Sequence, residues 1–170
     1  MNPTAVRCRQ KSLQMKSIKT SMAVSSNRAA VRVLRERNVL GREPGKGSMN
    51  KRRLGAVYEQ AAAEFLREQG YSVLESNYRC RQGEIDLVAR EGRYLVFVEV
   101  KYRKNSRFGE GEYAVDARKQ KRISQAARWY LVVHKMPEDT ACRFDVVAIA
   151  GQDITLIRDA FEFAGTAGLY

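Results

Sequence analysis

The sequence predicts an α/β domain in which a mixed central sheet is flanked by helices. Apolar residues recur at helical spacing in two stretches, 51–69 and 116–131, and they alternate or run continuously in shorter stretches around them. The resulting order is helix, strand, strand, strand, helix, strand, strand, which is typical of an α/β fold. A chain of 170 residues with 44% apolar content has room for one domain with a substantial core.

The first helix is predicted at residues 51–69 and is followed by Gly70, a typical helix stop. Glu59 lies at the margin of its apolar stripe, so this carboxylate is either a solvated boundary residue or a group directed toward a site. The next segment, Tyr71–Tyr78, alternates and is predicted as the first strand. The stripe itself consists of Leu54, Val57, Tyr58, Ala61, Ala62, Phe65 and Leu66.

Residues 83–101 are predicted to form a hairpin that turns at Glu91-Gly92. Its second arm, Tyr94–Val100, is a nearly unbroken run of β-branched and aromatic residues, so we expect a central strand that is covered on both faces. The alternation in the first arm is expected to place three apolar residues on one face, Ile85, Leu87 and Ala89.

Charged residues interrupt the apolar pattern near the end of this hairpin. A side-chain period of two places Glu99 and Lys101 on the same face as Leu95 and Phe97. An unpaired buried carboxylate costs several kcal/mol, so Glu99 is expected to have a cation beside it. Asp86 raises the same problem on the partner strand. Two carboxylates that converge beside an ammonium suit a hard divalent cation, whereas the alternative is a solvated strand edge.

The second helix is predicted at residues 116–131, after a loop at 102–116, with Asp116 as its N-cap. Lys119 lies one turn before Ile123 on the buried side, so its ammonium either points toward a site or extends to solvent. The stretch 101–128 is the most basic part of the domain, with nine Lys and Arg against three acids. Interleaved aromatic residues suit phosphate contact with some stacking, although a solvated face has the same composition.

A closing hairpin is predicted from Arg143–Ala150 and Ile154–Ile157. Asp145 lies in its first strand and is a candidate for a third acid of the site. A structural role, in which Asp145 pairs with Arg143 or Arg158, is favoured. The tail after residue 159 is expected to pack briefly and then fray.

Residues 1–48 are predicted to be a basic, disordered arm and linker. They hold 11 Lys and Arg against 2 acids, so they carry +9 of the net charge of +12. Three interpretations remain open and are ranked in this order: Met49 is the true start, the arm binds nucleic acid, or the arm is a transit peptide. The domain is therefore expected at residues 49–170.

Several classes of protein are disfavoured by composition. The apolar runs are too short for a membrane span and no secretion signal is evident, so a cytoplasmic protein without membrane contact is expected. Three widely spaced cysteines argue against a disulfide framework and structural zinc. The single histidine, His134, excludes multi-histidine metal sites.

Asp86 followed by Glu99-Val100-Lys101 resembles the Asp…Glu-x-Lys motif of the PD-(D/E)XK nuclease superfamily, which includes archaeal-type Holliday-junction resolvases. The chain more narrowly resembles the YraN family of bacterial predicted endonucleases, over residues 50 to about 163. The matching segments are Gly83–Val88, Val98–Arg103, Arg143–Val147 and Asp159–Phe161. This resemblance implies a restriction-endonuclease-like three-layer core and metal-dependent hydrolysis of nucleic-acid phosphodiesters, with a DNA endonuclease acting on branched DNA as one form.

The resemblance also implies roles for particular residues. Asp86 and Glu99, with the Val100 carbonyl, would hold one or two Mg²⁺ or Mn²⁺ ions. Lys101 would orient the attacking water, and Glu59 would assist through a bridging water. Contact with nucleic acid is expected from basic residues of the loop and second helix, namely Arg103, Lys104, Arg107, Lys119, Lys121 and Arg122.

Two alternatives from other classes remain open. A catalytically silent nucleic-acid-binding module would need no metal, and a protein-interaction adaptor on the same fold would show no salt-dependent affinity for nucleic acid. The sequence does not choose between DNA and RNA or between branched and linear substrates. The likeness to junction resolvases implies a homodimer, but no surface is singled out by the sequence as its interface.

Overall fold

The computed structural model describes residues 28–36, 51–103 and 114–165. Within these ranges the helices are α1 (Arg28–Glu36), α2 (Lys51–Glu68) and α3 (Ala117–Val133), and the strands are β1 (Ser72–Cys80), β2 (Gly83–Glu91), β3 (Tyr94–Arg103), β4 (Cys142–Ala150) and β5 (Asp153–Ile157). The strands form one sheet in the order β1–β2–β3–β4–β5. All neighbours are antiparallel except β3 and β4, which are parallel because α3 connects them. The predicted α/β fold with a mixed sheet is confirmed.

Strand β3 lies at the centre of the sheet and is buried on both faces, as its unbroken apolar run predicts. Leu95 and Phe97 pack in the layer beneath α3, and Val96 and Val98 pack in the layer that contains α1 and α2. The two apolar layers and the sheet between them give the predicted three-layer core. In the described part of the chain, no helix has both the length and the apolar composition needed to cross a membrane.

The helix α1 differs from the disordered arm predicted for residues 1–48. Its side chains Ala30 and Leu34, one turn apart, are fully buried with residues of α2. Its first turn is held by Glu68, whose Oε1 accepts from the Ala29 N–H at 2.9 Å. The sequence shows a short apolar patch at Ala29–Leu34, but a nine-residue helix has little stability alone, so this helix depends on docking against α2. The rest of residues 1–48 lies outside the described residues.

The alternation predicted for β2 is wrong at one position. Leu87 and Ala89 face the α2 layer as expected, but Ile85 packs in the α3 layer. The break falls at Asp86, which lies between the paired positions Tyr78↔Ile85 and Ser76↔Leu87. The residue of β1 opposite this position, Asn77, has a left-handed φ of 58°. A residue in that conformation interrupts the pleat, so the side chains on either side change faces.

A buried ionic network supports the structural role predicted for Asp145, which is fully buried. Arg143 donates to both of its carboxylate oxygens, Nε to Oδ1 at 2.8 Å and Nη2 to Oδ2 at 2.9 Å. The Tyr71 hydroxyl also donates to Oδ2, at 3.1 Å, and the Asp159 N–H donates to Oδ1 at 3.0 Å. Arg143 further binds Glu91. This network of hydrogen bonds therefore joins β4 to the segment before β1, through Tyr71, and to the segment after β5, through Asp159.

Gly83 brings β2 unusually close to α3. A Cβ at this position would lie 2.8 Å from the carbonyl oxygen of Arg122, a distance that real Cβ atoms do not adopt. We expect Gly83→Ala to lower the free energy of unfolding by about 1–3 kcal/mol, because α3 must move away from the sheet. Urea unfolding followed by circular dichroism measures this loss.

The matched control for Gly83→Ala is Gly55→Ala in α2. A Cβ at Gly55 would meet its nearest neighbour, Glu59 Oε1, at an ordinary 3.8 Å. Alanine is favoured over glycine inside a helix, so this variant is expected to match or exceed the wild type in stability. Equal stability of the Gly83→Ala variant and the wild type would contradict the close packing of α3.

Candidate active site

The candidate site lies where β2 and β3 diverge. These strands pair from Glu91↔Tyr94 as far as Leu87↔Val98. Past that point β2 stays paired with β1, and β3 continues beside β4. The first residues beyond the last pair are Asp86 on β2 and Glu99 on β3. The fork therefore places the two predicted acids next to each other.

A main-chain hydrogen bond fixes the carboxylate of Asp86 against β3. The Val100 N–H donates to Asp86 Oδ2 at 2.7 Å, so this side chain takes the place of the missing β2 partner. Glu99, the neighbouring residue, is only 8% exposed. The structure thus brings Asp86 and Glu99 together beside the backbone of Val100, and their roles as metal ligands stay a prediction.

The ammonium in contact with this pair comes from α3. Lys119 Nζ lies 3.1 Å from Glu99 Oε2 and 3.7 Å from Glu84 Oε1. Of the two alternatives left open for Lys119, the structure therefore favours the one directed toward the site. The approach of α3 to Gly83 explains this position, because it brings the first turns of the helix beside the fork.

Two buried carboxyl groups in one fork perturb each other's ionisation. Burial raises the pKa of Glu99 to about 7, and the negative charge of Asp86 adds to this rise against the opposing effect of Lys119. Burial also raises the pKa of Asp86, although the hydrogen bond from Val100 opposes it. For Lys119, burial lowers the pKa, but attraction to Glu99 and Asp86 outweighs that effect and the net change is upward. The fork therefore favours a further positive charge.

The donor set fits a hard divalent cation that keeps some of its water. Glu99 Oε2 is buried and accepts no well-directed hydrogen bond from the described residues, although it contacts Lys119. Within the described ranges no cluster of three or more His, Cys, Asp or Glu residues is arranged to hold a metal. Two carboxylates and the Val100 carbonyl nevertheless suit Mg²⁺, which binds proteins through one or two carboxylates and completes its shell with water and phosphate.

Glu59 of α2 is close enough to Asp86 for the charge of Asp86 to act on its carboxyl group. The Asn77 amide donates to Glu59 Oε2 at 2.6 Å and thereby links α2 to β1. Burial raises the pKa of Glu59; the hydrogen bond from Asn77 opposes this rise, and the charge of Asp86 adds to it. The Glu59 carboxyl group therefore interacts electrostatically with the Asp86 carboxyl group of the fork. Asn77 was not predicted as a site residue, and its one sequence signal is that asparagine tolerates a left-handed φ.

Of the remaining predicted site residues, the structure describes the side chains of Lys101, Lys121 and Arg122. Lys101 Nζ donates to the Ala114 carbonyl at 2.5 Å, and its role in orienting water stays a prediction. Lys121 and Arg122 are exposed on α3. Lys104, Arg107 and the side chain of Arg103 lie outside the described residues.

The raised pKa of Glu99 predicts how stability depends on pH in metal-free protein. Folding favours the protonated form, so the contribution of this group is fully present below its unfolded pKa and is lost as pH rises through about 7. Glutamine cannot ionise. We therefore expect Glu99→Gln to unfold at a free energy about 1–3 kcal/mol higher than the wild type at pH 8, with the difference shrinking toward pH 5.

Chemical denaturation at several pH values in EDTA measures this difference. The control is Glu138→Gln, at an exposed residue between α3 and β4, which is expected to follow the wild-type curve. Parallel curves for Glu99→Gln and the wild type between pH 5 and 8 would contradict the buried, coupled state of Glu99.

The chain is similar to proteins of one bacterial family. The model of the family described as "Uncharacterised protein family UPF0102" matches residues 58–149. A UPF0102 protein of Lachnoclostridium phytofermentans is 53% identical over 118 residues, which are 69% of this chain and the whole of that protein. A UPF0102 protein of Geotalea daltonii is 49% identical over 125 residues, 71% of this chain and 98% of that protein. The matched residues include the whole fork.

Proposed function

The chain belongs to the uncharacterised protein family UPF0102, the YraN family, and we propose its function from the geometry of the fork. The proposed function is metal-dependent hydrolysis of nucleic-acid phosphodiesters by a member of the PD-(D/E)XK nuclease superfamily. The observation that carries this proposal is the fork itself, where Asp86 and Glu99 converge beside the ammonium of Lys119. The Asp…Glu-x-Lys spacing on the same two strands supports it.

Asp86, Glu99 and the Val100 carbonyl would hold a Mg²⁺ or Mn²⁺ ion. Such an ion supplies Lewis-acid stabilisation of the phosphate oxygens and lowers the pKa of a water molecule. The Val100 N–H holds Asp86 in place through the reaction, since its hydrogen bond favours the ionised carboxylate. Ionised acids are what a hard cation requires, so occupancy of the site is expected to rise between pH 6 and 8 as Glu99 loses its proton.

Two lysines and a second glutamate have auxiliary roles in this proposal. Lys119 balances the charge of Glu99 in the metal-free protein and has a second partner, Glu84, within 3.7 Å. Lys101, on the strand that carries Glu99, would orient the attacking water. Glu59 would act through a bridging water, with Asn77 holding its carboxylate.

The charge of α3 supports a nucleic acid as the proposed substrate, and DNA is the form that we propose. This helix has five Lys and Arg residues and no Asp or Glu, and its first turns lie beside the fork. The phosphate backbone of a nucleic acid binds positively charged surfaces, because binding releases the counterions condensed on the phosphates. A two-fold homodimer, with one fork for each cut strand of a junction, is part of the same proposal.

A cleavage assay on the full chain tests the proposed function. Labelled linear duplex, single-stranded and four-way-junction DNA would be incubated with Mg²⁺, with Mn²⁺ or with EDTA. Cleavage that requires the metal is expected on at least one of these substrates. Salt-dependent binding without cleavage under any condition would favour the silent binding module, and absence of both would favour the protein-interaction adaptor.

A further inference from the structure

The outward face of α3 carries the one tryptophan of the chain between cationic side chains. At about 100° per residue, Arg118, Arg122 and Trp129 fall within roughly 60° of one another around the helix axis. All three are exposed, and Trp129 has 43% of its surface accessible. Val132 and Val133 of the same helix are also exposed, and a group of exposed apolar side chains beside cations is typical of an interaction surface.

The cations of this face are available to a partner. Arg122 of this face and the neighbouring exposed Lys121 form no ion pair with any residue that the structure describes. The helix also lacks an acidic residue that could balance them locally. Their charge therefore favours a polyanion over an acidic or neutral protein surface of mixed sign.

The direction of α3 relates this face to the candidate active site. Lys119, in the first turns, contacts Glu99 in the fork. Trp129 follows ten residues later, which corresponds to about 15 Å along the helix axis. Arg122 lies between them on the exposed side. A strand bound along α3 would pass from the fork across Arg122 to the tryptophan ring.

We propose that the outward face of α3 binds single-stranded nucleic acid, with Trp129 stacking on an unpaired base and Arg118, Lys121 and Arg122 contacting the phosphates. An indole ring stacks on any base but needs that base unstacked from its neighbours, so the contact selects single-stranded or frayed segments over continuous duplex. This inference rests on the proposed function for its biological meaning, because it makes the substrate of the fork a nucleic acid with an unpaired stretch.

Binding can be measured without metal and therefore without cleavage. The full chain in EDTA would be titrated with a single-stranded deoxyoligonucleotide of about 20 nucleotides and with the same strand annealed to its complement. Trp129 is the sole tryptophan, so its fluorescence reports the contact directly. The single strand is expected to quench this fluorescence strongly, and the duplex much less.

Variants of Trp129 test whether its indole ring makes the contact with the single strand. Trp129→Ala is expected to weaken single-strand binding by about 5- to 150-fold, measured by anisotropy of the labelled strand, and to change duplex binding less than twofold. Trp129→Phe should restore most of the lost affinity, because phenylalanine also stacks. The control is Val133→Ala, which removes an equally exposed apolar side chain from the same face and should leave both affinities unchanged.

Three results would overturn the assignment. These are an equal loss of single-strand and duplex affinity in Trp129→Ala, an equal effect of Val133→Ala, and fluorescence that responds to protein concentration but not to the oligonucleotide. The last result would identify an apolar protein-binding face formed by Trp129, Val132 and Val133. Because no metal is present, failure of the cleavage assay would not change any of these outcomes.

Discussion

Replacing Asp86 with asparagine is expected to lower the metal-dependent cleavage rate at least about 100-fold, which corresponds to about 3 kcal/mol of transition-state stabilisation. Asparagine keeps an oxygen that can accept a hydrogen bond from the Val100 N–H, so the geometry of the fork should be unchanged. What it removes is the negative charge that a hard cation requires. The variant thus separates metal binding from folding.

Glu99→Gln should give a loss of similar size for the same reason. The control is Asp139→Asn, which changes the same functional group at an exposed turn residue and should leave the rate unchanged. Rates would be measured under single-turnover conditions with Mn²⁺, and folding would be checked by circular dichroism. Folded Asp86→Asn and Glu99→Gln variants that cleave at the wild-type rate would remove these residues from the catalytic site.

Replacing Asp145 with alanine is expected to destabilise the domain by about 3–5 kcal/mol. The change leaves the guanidinium of Arg143, which is 11% exposed, without its two hydrogen bonds to the Asp145 carboxylate. It also removes the acceptor of the Tyr71 hydroxyl and of the Asp159 N–H. Arg143 retains Glu91, but that pair alone does not replace the lost hydrogen bonds.

A surface ion pair supplies the comparison for this effect. Glu64 and Arg67 are 2.8 Å apart on α2, but their side chains are 34% and 49% exposed, so Glu64→Ala should cost between about 0 and 1 kcal/mol. Both variants would be unfolded with urea at neutral pH. A loss for Asp145→Ala no larger than that for Glu64→Ala would show that the network around Asp145 does not hold the sheet together.

The fold could be predicted from the sequence because most of its elements carry their own periodic pattern. Local sequence patterns predict the apolar stripe of α2, the central strand β3 and the N-cap of α3. The predicted N-cap is confirmed, because Asp116 accepts a hydrogen bond from the Lys119 N–H at 2.9 Å. Helix α1 carries only a short apolar patch, Ala29–Leu34, which does not show that it packs on α2. Its two buried residues, Ala30 and Leu34, are buried because they pack with residues of α2, a tertiary contact that the sequence pattern does not predict.

The candidate site was predictable in part for the same reason. Asp86 and Glu99 lie on two arms of one hairpin, so their convergence follows from the turn and the strand period. The contact of Lys119 with Glu99 depends instead on how closely α3 approaches Gly83, which is a tertiary property. The hydrogen bond between Asn77 and Glu59 depends on a left-handed residue, for which the presence of asparagine is a weak signal.

Binding of a divalent cation by Asp86 and Glu99 is tested most directly by anomalous X-ray diffraction from crystals of the protein grown with Mn²⁺. The expected result is a strong anomalous peak coordinated by the carboxylates of Asp86 and Glu99 and by the Val100 carbonyl, and its loss in crystals of Asp86→Asn. Manganese bound elsewhere, with Lys119 still paired to Glu99 and the fork free of metal, would contradict a metal-dependent nuclease site at this position.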